Sequence, residues 1–230
     1  MKNDLLILYE DNHLIVVNKT TSDLVQKDST GDDALVDRLK DYIKKKYHKP
    51  GEVFLGVTHR LDRPVSGLVV FARTSKALAR MNALFREDKI KKTYWAIVKN
   101  RPEKEEDTLI HYITRNSKQN KSYCHDSEVK DSKRAELSYR LLASSDKYHL
   151  LEIDLKTGRH HQIRTQLAAI GCPIKGDLKY GFPRSNPDGG ISLHARSISF
   201  IHPVSKEEIN IQADPPGEDV LWKYFTDRVG

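Results

Sequence analysis

Short apolar runs recur along this chain with the spacing of strands. LLILY (5–9) and HLIVVN (13–18) read as two short strands, with Asp11-Asn12 as the turn between them. VFLGV (53–57) and GLVVFA (67–72) are nearly unbroken apolar runs, the pattern of buried strands. TYWAIV (93–98) is the next strand, and its adjacent aromatics Tyr94 and Trp95 must point to opposite faces. Further strands fall near 109–114, 122–129, 134–142 and 148–155. ISLHARSISFIHP (191–203) and EINIQAD (208–214) read as a closing hairpin.

Other stretches have the three- and four-residue period of helices. Over 33–48 the apolar positions are Leu35, Leu39, Tyr42, Ile43 and Tyr47. Lys44, Lys45 and Lys46 stand at the C-terminal end, where cations complement the helix dipole, and Pro50-Gly51 stops the element. A second helix covers 75–87, with Leu78, Met81, Leu84 and Phe85 on one face. A third covers 160–170, with the stripe Ile163, Leu167 and Ile170, Gly171 at the C′ position and Pro173 barring continuation. VLWKYF (220–225) is a short amphipathic segment, and 100–108 is a charged loop. Many strands with hairpin-length links and about three helices predict an α+β fold, a mixed and mainly antiparallel central sheet with flanking helices. No convincing boundary interrupts it, so residues 1–230 are expected to form one domain.

Composition narrows the class. Hydrophobic residues make up 38% and charged residues 31% of 230, which suits a soluble chain with its own core. No apolar window approaches a membrane span, and the N-terminus lacks a signal-peptide pattern, so a cytoplasmic protein without a membrane is expected. Cys124 and Cys172 are too few for a disulfide scaffold. A net charge of +7 favours a polyanionic partner, nucleic acid first, although charge alone divides evenly between RNA contact and a solvated surface.

Phosphate loops, GxGxxG after a strand, GxSxG, HExxH and paired CxxC are all missing. His160 and His161 are adjacent, which on a helix would point them about 100° apart and make them poor co-ligands. His149, His161, His194 and His202 are a remote alternative, and no metal or cofactor is expected.

Three segments concentrate charge in apolar surroundings. In THRLDRPVSGLVVFA (58–72), Asp62 lies between Arg60 and Arg63 and just before an apolar strand. It is either a structural ion pair in a turn or a nucleophile or general base. In KTGRHHQIRTQLAAIGCPIKGD (156–177), Thr157-Gly158 precede a helix whose free N–H groups face the loop. Arg164 lies beside the apolar stripe, so it either covers the helix edge or meets a carboxylate or phosphate. Gln162 and Gln166 lie on another face, toward RNA or solvent. In KKTYWAIV (91–98), Tyr94 is either a packed tyrosine or a stacking platform for an unstacked base.

Taken together, HRLDRPVSGL, KKTYWAIV and TGRHHQIRTQLAAIGCPIKGDLKYG resemble the RluA-type pseudouridine synthases in order and spacing. LYEDNHLIVVNK (8–19) and LHARSISFIHP (193–203) are similar to that family's opening and closing motifs, so the resemblance covers about residues 5–214. It implies the pseudouridine synthase catalytic fold and a cofactor-free isomerisation of uridine in tRNA or rRNA. The base is detached, rotated and rejoined to the sugar through C5. It assigns Asp62 as the catalytic carboxylate. Tyr94 becomes the tyrosine that stacks on the uracil and assists proton removal at C5, and Arg164 the partner of the carboxylate. It gives Arg60 to the RNA and the flipped base and Leu193 to the base pocket; Arg63, Lys92, Arg159, His161 and Gln162 are expected to add RNA contacts around them. A monomer is expected.

The sequence departs from the family in places. The opening motif usually continues Lys-Pro-x-Gly, where this chain has Lys19-Thr20-Thr21-Ser22-Asp23. His160, Gln166 and Cys172 also stand where other residues are common. The chain is expected to start at the catalytic domain, without the small RNA-binding domain of several relatives, so substrate recognition is expected from the catalytic domain itself. The alternative reading is a non-catalytic RNA-binding or chaperone protein on the same fold. Its support is the altered 20–23 loop.

Overall fold

The computed structural model describes residues 5–28 and 31–229. In chain order the elements are β1 (Leu6–Glu10), β2 (Leu14–Lys19), α1 (Leu35–Lys46), β3 (Gly56–Val57), β4 (Ser66–Ala72), α2 (Ser75–Arg86), β5 (Lys91–Val98), β6 (Glu106–Asn116), β7 (Lys121–His125), β8 (Lys133–Ser144), β9 (His149–Leu155), α3 (Gln162–Ala169), β10 (Leu193–Ile201), β11 (Glu208–Gln212) and α4 (Val220–Val229). A 3₁₀ turn over Leu178–Tyr180 lies between α3 and β10.

All described strands join one sheet, in the order β1-β2-β4-β10-β5-β9-β8-β6-β7. β3 pairs with β4, and β11 pairs with β10. Of these pairs only β4–β10 is parallel, so the sheet is mixed and mainly antiparallel, as the pattern predicts.

The period-two alternation sorts side chains onto two faces. Leu14, Val16, Leu68, Val70, Tyr94, Ala96, Leu151 and Ile153 lie on one face, under α2 and α3, in the main core with Met81, Ile163 and Leu167. On the other face, Ile15, Val17, Val69 and Phe71 pack under α1, while Trp95, Ile97 and Leu150 pack under α4. The near-continuous apolar runs in β2, β4 and β5 therefore reflect burial on both faces. Tyr94 and Trp95 do point opposite ways.

The parallel junction of β4 and β10 is unusually close. Gly67 has φ +114°, and a Cβ there would sit 2.4 Å from the Ala195 backbone nitrogen, so glycine is required. Beside it, Ser66 Oγ and the buried His194 Nδ1 are 2.8 Å apart, and His194 Nε2 is 2.9 Å from the Ala213 carbonyl oxygen. This junction places the loop before β4 next to the start of β10.

Several boundaries differ from the sequence expectation. The 53–57 run contributes only a two-residue strand, because Val53 and Leu55 fold down onto α1 in a loop. β6 begins at Glu106, inside the stretch predicted as loop. β7 stops at His125 rather than 129. The 220–225 segment extends into a fourth helix, anchored by buried Trp222 and Phe225. The third helix starts at Gln162, not 160, because His161 takes a left-handed conformation (φ 51°) at its N-cap.

Candidate active site

Asp62 lies on the loop between β3 and β4, where the Val65 N–H donates to the Asp62 carbonyl (3.0 Å) and closes a turn over Arg63-Pro64. Its carboxylate remains 32% exposed, open enough to meet a ligand. Arg164, on the first turns of α3, is buried and donates from Nη1 to Asp62 Oδ2 at 2.9 Å. The other side of the same guanidinium grips Asp177 with two bonds, Nε to Oδ2 at 2.7 Å and Nη2 to Oδ1 at 2.9 Å. Asp177 is 1% exposed, so one arginine is fixed by a buried carboxylate and presented to a partly open one. Burial opposes its charge, but the bonds to Asp177 and the charges of both carboxylates outweigh this and raise its pKa. Tyr180 lies beneath, with its ring centroid 5.1 Å from the guanidinium carbon.

A pocket of about 90 Å³ opens beside this pair, with Leu61, Val65, Tyr94 and Leu193 supplying its apolar walls. β5 carries Tyr94 into it on the face shared with α3, and β10 carries Leu193 from the strand next to β5. Burial first, then the Asp62 charge, raises the Tyr94 phenol far above its ordinary value, so it stays protonated. Tyr94 thus presents a flat apolar face and a neutral hydroxyl.

The structure gathers Asp62, Tyr94, Arg164, Arg159, His161, Gln162 and Leu193 around one pocket. Arg60, Arg63 and Lys92 lie outside its wall. Arg60 and Arg63 are exposed, and Arg63 pairs with Asp32 at 2.8 Å. Lys92 is half-buried, two positions before Tyr94 on the same strand face. Exposed Arg159 donates from Nε to the Arg134 carbonyl at 3.0 Å.

Gln162 lines the pocket while bonded to the protein around it. It is 3% exposed, and its amide is spent on the protein. Oε1 accepts from the Arg159 N–H (2.9 Å) and Thr157 Oγ1 (2.8 Å), while Nε2 donates to the Glu136 carbonyl (3.1 Å). It fixes the 157–159 loop from inside the pocket wall. The Arg159 N–H is thereby occupied. Gln166, also expected outside, is fully buried against the Leu109 carbonyl and His111. His160 and His161 do not diverge. They precede the helix, and the left-handed turn at His161 stacks their rings at 3.8 Å and 21°. His161 is buried, with Nε2 3.4 Å from Asp62 Oδ2, so it faces the carboxylate rather than an open RNA surface. Among the described residues no group of His, Cys, Asp or Glu is arranged to hold a metal.

Two residues of the site escape the sequence reading. Asp177 could have been sought, because a buried arginine needs a carboxylate and the chain returns there after Gly171 and Pro173. Lys19 is the other. It is 1% exposed, and its Nζ donates to the carbonyls of Thr20 (2.7 Å), Arg63 (3.0 Å) and Val65 (2.6 Å). Burial pushes its pKa down to about 7, while three carbonyls match the three N–H bonds of an ammonium. Lys19 thereby pins the Asp62 loop to the end of β2. The unusual 20–23 segment is also tied down: Thr20 Oγ1 donates to Asp23 (2.9 Å), Asp23 pairs with Arg38 (2.6 Å), and Thr21 Oγ1 donates to Asp188 (2.9 Å).

A larger concavity of about 880 Å³ lies on the opposite face of the sheet, lined by Thr93, Trp95, Arg140, Glu152 and Arg196. Its charges are largely paired, as in Arg140–Glu152 at 2.9 Å, and none of the Asp62 cluster reaches it.

Known proteins share this arrangement of chain. A family model described as RNA pseudouridylate synthase matches residues 13–169. A tRNA pseudouridine synthase C of Vibrio parahaemolyticus is 31% identical, over 97% of this chain and 94% of that protein. A ribosomal large subunit pseudouridine synthase D of Zymomonas mobilis is 32% identical, over 91% of this chain and 69% of that protein. In three dimensions the human RNA pseudouridylate synthase domain containing 4 has the same fold, with a TM-score of 0.80 at 24% identity, covering 97% of this chain and 92% of that one. With its motifs, fold and matched residues in agreement, the chain belongs to the RNA pseudouridylate synthase family, a family of isomerases.

Proposed function

We propose that this protein isomerises uridines in tRNA or ribosomal RNA to pseudouridine, with Asp62 as the catalytic carboxylate. The observation that carries this reading is the presentation of Asp62. Its carboxylate is held by a buried arginine at 2.9 Å, at the mouth of a pocket walled by a tyrosine face and aliphatic residues. A uracil can enter only after leaving its stack, and an aromatic face with apolar neighbours compensates lost stacking. Asp62 then lies beside the sugar and the base edge. Arg164 orients it from one side, and Asp177 prevents the arginine from following the ligand out. The reaction breaks N1–C1′ and forms C5–C1′. The C5 proton is lost, and N1 gains one.

Arg60, Arg63, Lys92 and Arg159 supply cations around the pocket for the phosphate backbone. The whole chain acts as one catalytic unit, and recognition of the RNA comes from this surface. The test is tritium release from RNA labelled at C5 of uridine, with bulk tRNA and ribosomal transcripts assayed separately. Release from one class names the substrate class. Salt-sensitive binding without release from either would instead make the chain an RNA-binding protein.

A further inference from the structure

We propose that the Tyr180 hydroxyl fixes His161 as the neutral tautomer with its proton on Nε2, and that this N–H is a second donor to Asp62, making His161 a positioning residue for the carboxylate. The proposal deepens the functional reading above and rests on it for its kinetic consequence.

The argument is an accounting of protons. The Ser122 backbone N–H can only donate, and it lies 2.9 Å from the Tyr180 hydroxyl oxygen. The hydroxyl therefore accepts there, and its own proton must go to another partner. His161 Nδ1 lies 2.9 Å away in a buried contact and is an acceptor only when it carries no proton. A buried hydroxyl gains by keeping its proton bonded, so Nδ1 is bare and Nε2 carries the hydrogen. Nε2 lies 3.4 Å from Asp62 Oδ2, the same oxygen that Arg164 holds. Such contacts are commonly long without ligand and shorten in the complex.

The surroundings keep the ring neutral. Burial is the largest influence, and it lowers the His161 pKa well below the ordinary range. Arg164, His160 and Lys179 act in the same direction, against the opposing charge of Asp62. Stacking on His160 at 3.8 Å covers one ring face, and the Tyr180 ring meets its edge at 83°. His160 is tied in turn to Ser122, its Nδ1 2.8 Å from Ser122 Oγ. Start of β7, 3₁₀ turn and N-cap of α3 thus form one linked support, which aims a single N–H at the carboxylate.

Two measurements test this on the full chain. The first needs no activity: nitrogen NMR of isotope-labelled histidines in the free protein. The expected spectrum for His161 has a protonated Nε2 and a bare Nδ1, and Tyr180→Phe, which keeps the ring on Arg164, mixes the tautomers. A protonated Nδ1 in the wild type, or a spectrum unmoved by Tyr180→Phe, overturns the proposal. The second is the pH profile of pseudouridine formation. His161→Leu removes the donor, so kcat should fall about tenfold or more with little change in KM, and its acid limb should move to higher pH. His161→Gln restores an N–H four bonds from Cα and should recover the limb. Equal losses in both variants with an unmoved limb, or a rise in KM alone, show a merely structural or RNA-contacting histidine and overturn it. A wild type inactive on every RNA would overturn the functional reading, while the nitrogen spectra would still decide the relay.

Discussion

At the scale of single residues, Arg164 balances two carboxylates, one buried and one at the pocket mouth. Arg164→Met should cost about 3–5 kcal/mol of stability, because Asp177 is left as a lone buried charge, and should also remove activity. Urea unfolding and a turnover assay on the same sample check this. Unchanged melting with unchanged turnover contradicts the ion-pair account. Asp62, Tyr94 and Arg164 drew attention in the sequence as a carboxylate before an apolar strand, a tyrosine beside a tryptophan and an arginine next to an apolar stripe, but those patterns left structural readings open and the family resemblance supplied their roles. The surroundings of Gln162 and His161 were not legible, for a shared reason. Their direction depends on one left-handed residue at the helix N-cap, and periodicity carries no trace of it. Lys19 was missed because a lysine at a strand end ordinarily reads as solvated. Only the carbonyls of the 63–65 turn, distant in sequence, make it a buried clamp.

At the scale of elements, the site depends on the parallel contact between β4 and β10. The existence of both strands is plain in the apolar pattern. Their pairing is not, since nothing local specifies a partner more than a hundred residues away. Gly67 and the Ser66–His194 pair are what make the contact. His194 is buried, and burial pushes its pKa down to about 4 from 6.5, with the carbonyl of Ala213 opposing. A histidine kept neutral in the fold is protonated first in the unfolded chain. The junction's stability is therefore fully present above pH 6.5 and is lost as pH falls from 6.5 toward 4, by up to about 3 kcal/mol. Denaturation midpoints at pH 7 and pH 4.5 should differ more in the wild type than in His194→Gln. Equal differences contradict the assignment.

At the scale of the whole molecule, one twisted sheet divides its labour by face. The α2 and α3 face carries the pocket, while α1 and α4 close much of the other. The net charge of +7 is compatible with either RNA contact or a solvated surface, and composition alone does not choose. The site gives the charge a purpose if cations around the pocket mouth track a phosphate backbone. Binding to RNA should then weaken steeply with salt, and Arg60→Gln should reduce the slope of log K against log salt by about one. A slope unchanged by Arg60→Gln would place the RNA elsewhere on the surface.

In this account Asp62, held by an Arg164 that Asp177 fixes, performs the isomerisation. The measurement that tests it most directly is C5-tritium release by Asp62→Asn, with RNA affinity determined on the same preparation. The account predicts release lost by several orders of magnitude and RNA bound about as tightly as by the wild type. Turnover by Asp62→Asn at the wild-type rate would contradict it.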